Sequence, residues 1–293
     1  MAKNDWQVIE PASHFSPNTL AETLDGGQAF RWKFNEEVGA WQGIFDRFAC
    51  LLKLDTNSDL LFQSLSKNKA KSFSSCKAFL RSSIDWASHE DSLPWRSDTH
   101  MKQCLESFRG LRILKQPFGE ALLAFMCSAT KQIPQIKVMC QNLAQTLGSP
   151  LGKNLHAMPT WEQVAEASET QLRSLALGFR AKNIKKTADL IAADSTLLKQ
   201  IEQASYEDAK SALVEFPGVG EKIADCALLF GTDHMQAFPV DTWIIKVLEK
   251  RYELEGWDNK QLAQFGRIHF GPLAGFAQQF LFSWERTQPK VRA

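Results

Sequence analysis

The sequence predicts an α+β chain, strand-rich and antiparallel at its beginning and mostly helical afterwards. Three observations carry this expectation. Apolar side chains alternate with a period of two between residues 30 and 54, the apolar period lengthens to that of a helix from Pro117 onward, and a glycine-containing turn joins two apolar helices between residues 206 and 231. The expected division is an antiparallel β/α domain over residues 1–115 and a helical region over 116–293.

Phe30, Trp32 and Phe34 alternate, and after a turn at Val38-Gly39 a second run alternates through Phe48, Cys50, Leu52 and Leu54. Together they read as an antiparallel hairpin. The Ser/Lys-rich stretch Lys67 to Lys77 is a loop or the start of a helix, and Asp91 to Asp98, which contains Pro94, is a connection. Leu122, Leu123, Phe125 and Met126 then mark one helix, and Ile133, Ile136, Met139, Cys140 and Leu143 the next, which Gly148-Ser149-Pro150 ends. Thr160 to Gln163 has the form of a capping box, and Gly178 stops the helical stretch through Leu172 and Leu175. Further helices are expected at 181–193, 206–214, 221–231, 241–251 and 272–285.

Of the 293 residues 44% are apolar, enough for a sizeable core. The opening MAKNDWQV has no apolar stretch of signal-peptide length, and no later run approaches the uncharged span of about eighteen residues that a membrane helix needs. The reading is an intracellular protein with no membrane partner, placed in the cytoplasm or nucleoid of a bacterium or the nucleus of a eukaryote. Cysteines 50, 76, 104, 127, 140 and 226 form no C-x-x-C pair, and no cysteine follows Cys226. Zinc and four-cysteine iron–sulfur sites are therefore not expected. The net charge is +1, whereas a protein that binds chiefly by neutralising phosphates is usually far more basic. DNA binding would have to rest on local basic clusters and on backbone donors, which hold phosphate without formal charge.

The most specific stretch is Leu213-Val-Glu-Phe-Pro-Gly-Val-Gly-Glu-Lys-Ile-Ala-Asp-Cys226. Gly218, Val219 and Gly220 permit a tight turn after which successive N–H groups at the start of a helix face a phosphate, although an ordinary helix–helix turn has the same composition. Lys222 falls in the first turn of the second helix, where the positive end of the dipole disfavours an ammonium. A neutral amine there can attack a sugar C1′, and the resulting imine permits strand cleavage by elimination; a solvated surface lysine is the plainer reading. Nineteen residues on, Asp241 precedes an apolar-periodic run and sits where an N-cap belongs. Its carboxylate could also steady positive charge on a sugar as a base leaves.

At this point the residues resemble a known family. Phe216-Pro-Gly-Val-Gly-Glu-Lys-Ile-Ala-Asp-Cys226, followed by Pro239-Val-Asp241, resembles the helix-hairpin-helix, Gly/Pro-Asp signature of DNA glycosylases, specifically their 8-oxoguanine branch. Gly26 to Trp32, Leu177 to Ala181 and Gly271 to Phe282 resemble three further signatures of that branch, so the ordered matches run from Gly26 to Phe282. The resemblance implies a TATA-binding-protein-like antiparallel domain followed by helical parts with a DNA-facing cleft between them. It implies Lys222 as nucleophile and Asp241 as its acidic partner, Cys226 and Phe282 as the two faces of a sandwich around the flipped base, and Gln278 as a hydrogen-bonding partner of its pairing edge. A Gly27 carbonyl would accept the proton that 8-oxoguanine carries on N7, where guanine has a lone pair. Double-stranded DNA with a damaged base is the implied partner of a monomeric enzyme. No redox or nucleotide cofactor is implied, and the hairpin carbonyls are of the kind that hold a monovalent cation.

The chain also departs from the family. Where relatives carry Cys-Ser-Ser-Asn-Asn-Asn-Ile-Ala-Arg it reads Cys127-Ser-Ala-Thr-Lys-Gln-Ile-Pro-Gln135, so Thr130 and Gln135 replace the asparagine and arginine that engage the orphaned cytosine. This points to a relaxed preference for the opposite base. Phe179 stands for a tyrosine that wedges into the stack, Arg180 keeps the guanidinium, and Trp243 follows Asp241 where animal relatives have a histidine nearby. Arg173, Arg180, Lys182, Lys185 and Lys186 cluster on the turn that would face DNA. Two other readings share the hairpin: a glycosylase for an alkylated purine or an oxidised pyrimidine, and a non-catalytic DNA-binding scaffold that would need neither Lys222 nor Asp241.

Overall fold

Alternation of large apolar residues against polar ones builds a sheet over the first third of the chain. In the computed structural model, which describes residues 5–152 and 154–288, the strands are β1 (Gln7–Glu10), β2 (Trp32–Asn35), β3 (Ala40–Phe45), β4 (Phe48–Leu54) and β5 (Leu60–Ser64). They form one antiparallel sheet in the order β1-β5-β4-β3-β2. Helices α1 (Pro17–Asp25) and α2 (Lys69–Phe79) contribute Leu20, Leu24, Cys76 and Phe79 to a core shared with Ile9, Trp32, Leu52 and Phe62. Within it the Trp32 and Phe45 rings stack, their centroids 6.2 Å apart.

The hairpin expected from the sequence needs one correction. The turn at residues 36–39 leads from β2 into β3, and the run from Phe48 is a third strand paired to β3, with Phe45 opposite Phe48. Polar Gln42 and Gly43 hide β3, because Gly43 lies opposite Trp32 and leaves no side chain to mark the period. The Ser/Lys-rich stretch is α2, whose N-cap Asn68 accepts from Lys71 N.

The second core is helical. Around Leu122, Phe125, Leu228, Phe230, Phe276 and Phe280 it gathers α3 (Trp86–Ser92), α4 (Thr99–Ser107), α5 (Phe118–Met126), α6 (Ile133–Leu147), α7 (Trp161–Glu166), α8 (Glu169–Leu172), α9 (Arg180–Ala193) and α10 (Leu197–Gln203). The remaining helices are α11 (Tyr206–Val214), α12 (Glu221–Gly231), α13 (Thr242–Tyr252), α14 (Asn259–Phe270) and α15 (Ala274–Thr287). A short ribbon, β6 (Pro150–Gly152) with β7 (Leu155–His156), follows α6. Thr160 makes the expected capping box with Gln163. The stretch ended by Gly178 is broken twice, however, since α7 stops at Glu166 and α8 runs into a π-helical turn, Arg173–Leu177, in which Ala176 has φ +67°. Helices α10 and α14 were not expected.

Two polar connections lock the sheet domain to the helices. Arg81, 7% exposed, and Lys115 both pair with Asp233, at 2.5 and 2.6 Å, in the loop after α12. Arg112 pairs with Glu10 of β1 at 2.7 Å. All six cysteines are buried and free. No helix among the described residues is long and apolar enough to cross a membrane.

Candidate active site

The chain turns tightly at Pro217-Gly218-Val219-Gly220 between α11 and α12. Gly218 has φ +82°, and a Cβ there would meet the Asn183 side chain at 2.7 Å, so the turn needs glycine both for its torsion and for its closeness to α9. Val219 is buried and its N–H closes the turn onto the Phe216 carbonyl at 3.0 Å. Gly220 is the N-cap of α12 and no side chain caps that helix, so its first-turn N–H groups have no partner among the described residues. Behind the turn, Lys210 of α11 pairs with Asp225 at 2.9 Å and Glu221 at 2.8 Å, while Tyr206 Oη donates to Asp225 at 2.6 Å. This partly buried network fixes α12 against α11 and therefore fixes the direction of Lys222.

Lys222 points into a cavity of about 630 Å³, within the range of small-molecule sites. Its Nζ donates to Ser128 Oγ at 3.3 Å and lies 5.4 Å from the Phe125 ring centroid. One turn further along α12, Cys226 is 3% exposed, and burial pushes its thiol up to about 11. The thiol is thus a neutral wall of the cavity at physiological pH. Asp241 caps α13, its Oδ1 accepting from Trp243 N and Ile244 N at 2.9 Å each. Burial raises its carboxyl above the ordinary carboxylate range, against the pull of the Ile244 N–H and the Lys222 charge.

The wall opposite α12 is α15 together with the Gly26-Gly27-Gln28 loop. Gln278 is 5% exposed; its Nε2 donates to the Pro239 carbonyl at 3.2 Å, and its buried Oε1 has no partner among the described residues. An unpaired buried acceptor costs about 1–3 kcal/mol, which a ligand N–H would recover. Phe282 lies one turn beyond Gln278 with the Arg286 guanidinium 5.8 Å from its ring. Gly27 has φ +110°, and a Cβ there would sit 2.9 Å from Ile133 Cδ1 and 3.7 Å from Phe282 Cε1. Its loop is held by Gln28, whose buried amide donates to the Arg112 carbonyl at 2.6 Å and accepts from Leu114 N at 2.9 Å. Gln116 Nε2 in turn donates to the Gln28 carbonyl at 2.7 Å.

One cavity therefore gathers Gly27, Thr130, Lys222, Cys226, Asp241, Gln278 and Phe282. Gly218, Val219, Gly220, Gln135, Phe179 and Arg180 do not line it. Thr130 takes φ +56° and its Oγ1 accepts from Arg180 Nη2 at 3.0 Å. Arg180 is 4% exposed and also donates to the Ala129 and Leu177 carbonyls, tying the π-helical turn to the loop before α6. Gln135 Oε1 accepts from Gln132 N at 3.2 Å, in the capping box of α6. Phe179 is 61% exposed, with the Arg180 guanidinium 4.3 Å from its ring. Of the basic cluster, Arg173 is paired with Glu169 and Lys185 with Asp189, while Lys182 and Lys186 are exposed. The sequence reading missed Ser128, Lys131 and Lys246, which also line the cavity. The apolar floor, Phe125 and Phe230 with rings 5.4 Å apart, was legible only as core. Among the described residues no group of three or more His, Cys, Asp or Glu side chains could hold a metal ion.

Comparison with known proteins matches most of the chain to two families. Residues 12–122 match the 8-oxoguanine DNA glycosylase N-terminal domain, and residues 123–266 match the HhH-GPD superfamily of base excision DNA repair proteins. An N-glycosylase/DNA lyase of Saccharomyces cerevisiae is 29% identical over 264 residues, covering 82% of this chain and 70% of the yeast protein. The Arabidopsis thaliana N-glycosylase/DNA lyase is 29% identical over 296 residues, 93% of this chain and 79% of its own. The Clostridium acetobutylicum 8-oxoguanine glycosylase/lyase, solved with double-stranded DNA containing cytosine opposite 8-oxoG, is 31% identical with a TM-score of 0.84 over 91% of each chain. The chain belongs to the 8-oxoguanine DNA glycosylase/lyase family, within the HhH-GPD superfamily of base excision repair proteins.

Proposed function

We propose that this chain excises 8-oxoguanine from duplex DNA through a covalent Lys222 intermediate and then cuts the strand by β-elimination. The observation that carries the proposal is the convergence of Lys222, Asp241, Cys226, Gln278, Phe282 and Gly27 on one cavity beside an uncapped helix start. The hairpin at Gly218 to Gly220 presents backbone N–H groups to a phosphate, and its carbonyls are the place where a monovalent cation would bridge protein and backbone. Phe179, exposed beside the hairpin-facing turn, enters the base stack as the lesion leaves it.

In the cavity the lesion lies between Cys226 and Phe282, and stacking on the ring contributes about 1–3 kcal/mol without selecting a base. Gln278 Oε1, which has no partner among the described residues, accepts from the pairing edge, and the Gly27 carbonyl accepts from N7–H. As the Nζ–C1′ bond forms, the bond from C1′ to the base breaks and its electron pair leaves with the base, which takes a proton. Asp241 stabilises the positive charge on the sugar. Nζ then loses one proton, its lone pair forms the C1′=N bond as the C1′–O4′ bond breaks toward O4′, which takes a proton, and from the resulting protonated imine loss of a C2′ proton expels the 3′ phosphate.

Borohydride trapping on matched duplexes tests this reading. A covalent complex on 8-oxoguanine DNA, with none on duplexes carrying an alkylated purine or an oxidised pyrimidine, is the expected result. Trapping confined to another lesion would reassign the substrate, and no trapping on any of them would remove Lys222 as the nucleophile.

A further inference from the structure

The cavity holds a hydroxyl whose single hydrogen is already committed. Ser128 lies just past the carboxyl end of α5, 8% exposed, and its Oγ donates to the Phe125 carbonyl at 2.7 Å. Toward Lys222 the same oxygen can therefore only accept, and Lys222 Nζ donates to it at 3.3 Å. The Phe125 ring lies 5.4 Å from that nitrogen. One short piece of chain, residues 125–128, thus supplies both the apolar surface and the acceptor that hold the amine.

Once Lys222 has given up a proton, as attack on C1′ requires, its amine has two N–H bonds and one lone pair in three staggered directions, and only the lone pair can form the bond to C1′. We propose that Ser128 is a positioning residue for Lys222. By accepting one N–H it turns the lone pair away from the α5 wall and into the cavity. The inference rests on Lys222 being the nucleophile. In the step it assists, the lone pair makes the Nζ–C1′ bond as the C1′–base bond breaks toward the base. Ser128 neither gives nor takes a proton, because its own stays on the Phe125 carbonyl. A role confined to the end of α5 would need only the Phe125 bond and would leave the rate at Lys222 untouched.

The test compares the full chain with Ser128→Ala, Ser128→Thr and the near-isosteric Ser128→Cys. Borohydride trapping is followed in single turnovers at saturating DNA, on an 8-oxoguanine duplex and on one with a preformed abasic site. Affinity is measured separately in a Lys222→Gln background. Ser128→Ala is expected to slow trapping about tenfold on both duplexes, the fold-change of one lost hydrogen bond, with affinity unchanged within about twofold. Ser128→Thr, which keeps the acceptor, retains most of the rate, and Ser128→Cys, a weak acceptor, falls with Ser128→Ala even if the alanine variant does not fold. Wild-type rates in Ser128→Ala, a threonine variant as slow as the alanine one, or rate and affinity falling together would each overturn the role of Ser128 while leaving the nucleophile standing. Absence of trapping by the wild-type chain on either duplex would instead remove the nucleophile, and the role of Ser128 with it.

Discussion

Replacing Gly27 with alanine perturbs the wall of the cavity at one defined point. With φ at +110° the residue occupies a region that L side chains rarely adopt, at a cost of about 1–3 kcal/mol. The added Cβ would stand 2.9 Å from Ile133 Cδ1 and 3.7 Å from Phe282 Cε1. The second distance is ordinary contact, and the first involves the free end of a flexible side chain that can turn aside. The torsion is therefore the larger cost, and its relief must move the backbone of a loop pinned by Gln28 to the Arg112 carbonyl and Leu114 N. Gly27→Ala should lose about 1–3 kcal/mol in urea denaturation and at least tenfold in single-turnover excision, since a shift of the Gly27 carbonyl would remove the contact proposed with the lesion. A Gly27→Ala, Ile133→Ala double variant should recover neither quantity. Full recovery in the double variant would show that side-chain crowding, not backbone torsion, fixes this wall; unchanged stability and excision in the single variant would refute the reasoning altogether.

Asp241→Asn keeps an N-cap oxygen but removes the charge, so excision should fall at least about a hundredfold while α13 stays capped. Its stability carries a pH signature. The folded carboxyl titrates above its unfolded value, so the folded state binds the extra proton between the two, and the wild type loses stability as pH rises through that window. The asparagine variant should therefore melt higher than wild type at neutral pH, with the gap closing below the ordinary carboxylate range; a gap that widens on acidification would contradict the assignment. Thr130 and Gln135 are engaged with Arg180 and with the cap of α6, so excision opposite C, A, G and T should agree within about tenfold. A preference of a hundredfold for cytosine would show that these side chains release their partners on DNA. Phe179→Ala should lose about 1–3 kcal/mol of lesion-duplex affinity by a binding titration, the scale of one stacked base, with the trapping rate at saturation unchanged.

The helices around the hairpin were legible because each combines an apolar stripe with a local end signal, as at Ser205 for α11 and Asp241 for α13. Strand β3 was not, because Gly43 and Gln42 break its alternation where it passes Trp32. Helix α14 carries a sound cap at Asp258, yet its exposed Ile268, 74% accessible, blurs the stripe. Lys222 and Asp241 could be named from the motif, while their meeting in one cavity depends on α12 and α13 being brought together across the loop that holds Asp233. Ser128 could not be found from the sequence at all. Nothing in its neighbours distinguishes a hydroxyl that ends a helix from one that faces a lysine 94 residues away. The engagement of Thr130 and Gln135 was equally hidden, because both depend on the π-helical turn and the α6 cap rather than on residue type.

The identity of the trapped nitrogen tests the central claim most directly. After borohydride reduction on 8-oxoguanine duplex, digestion and peptide mass mapping should place the deoxyribose adduct on Lys222, and Lys222→Gln should give no adduct while binding the lesion duplex within about tenfold of wild type. An adduct on another residue, or undiminished trapping by Lys222→Gln, would contradict it.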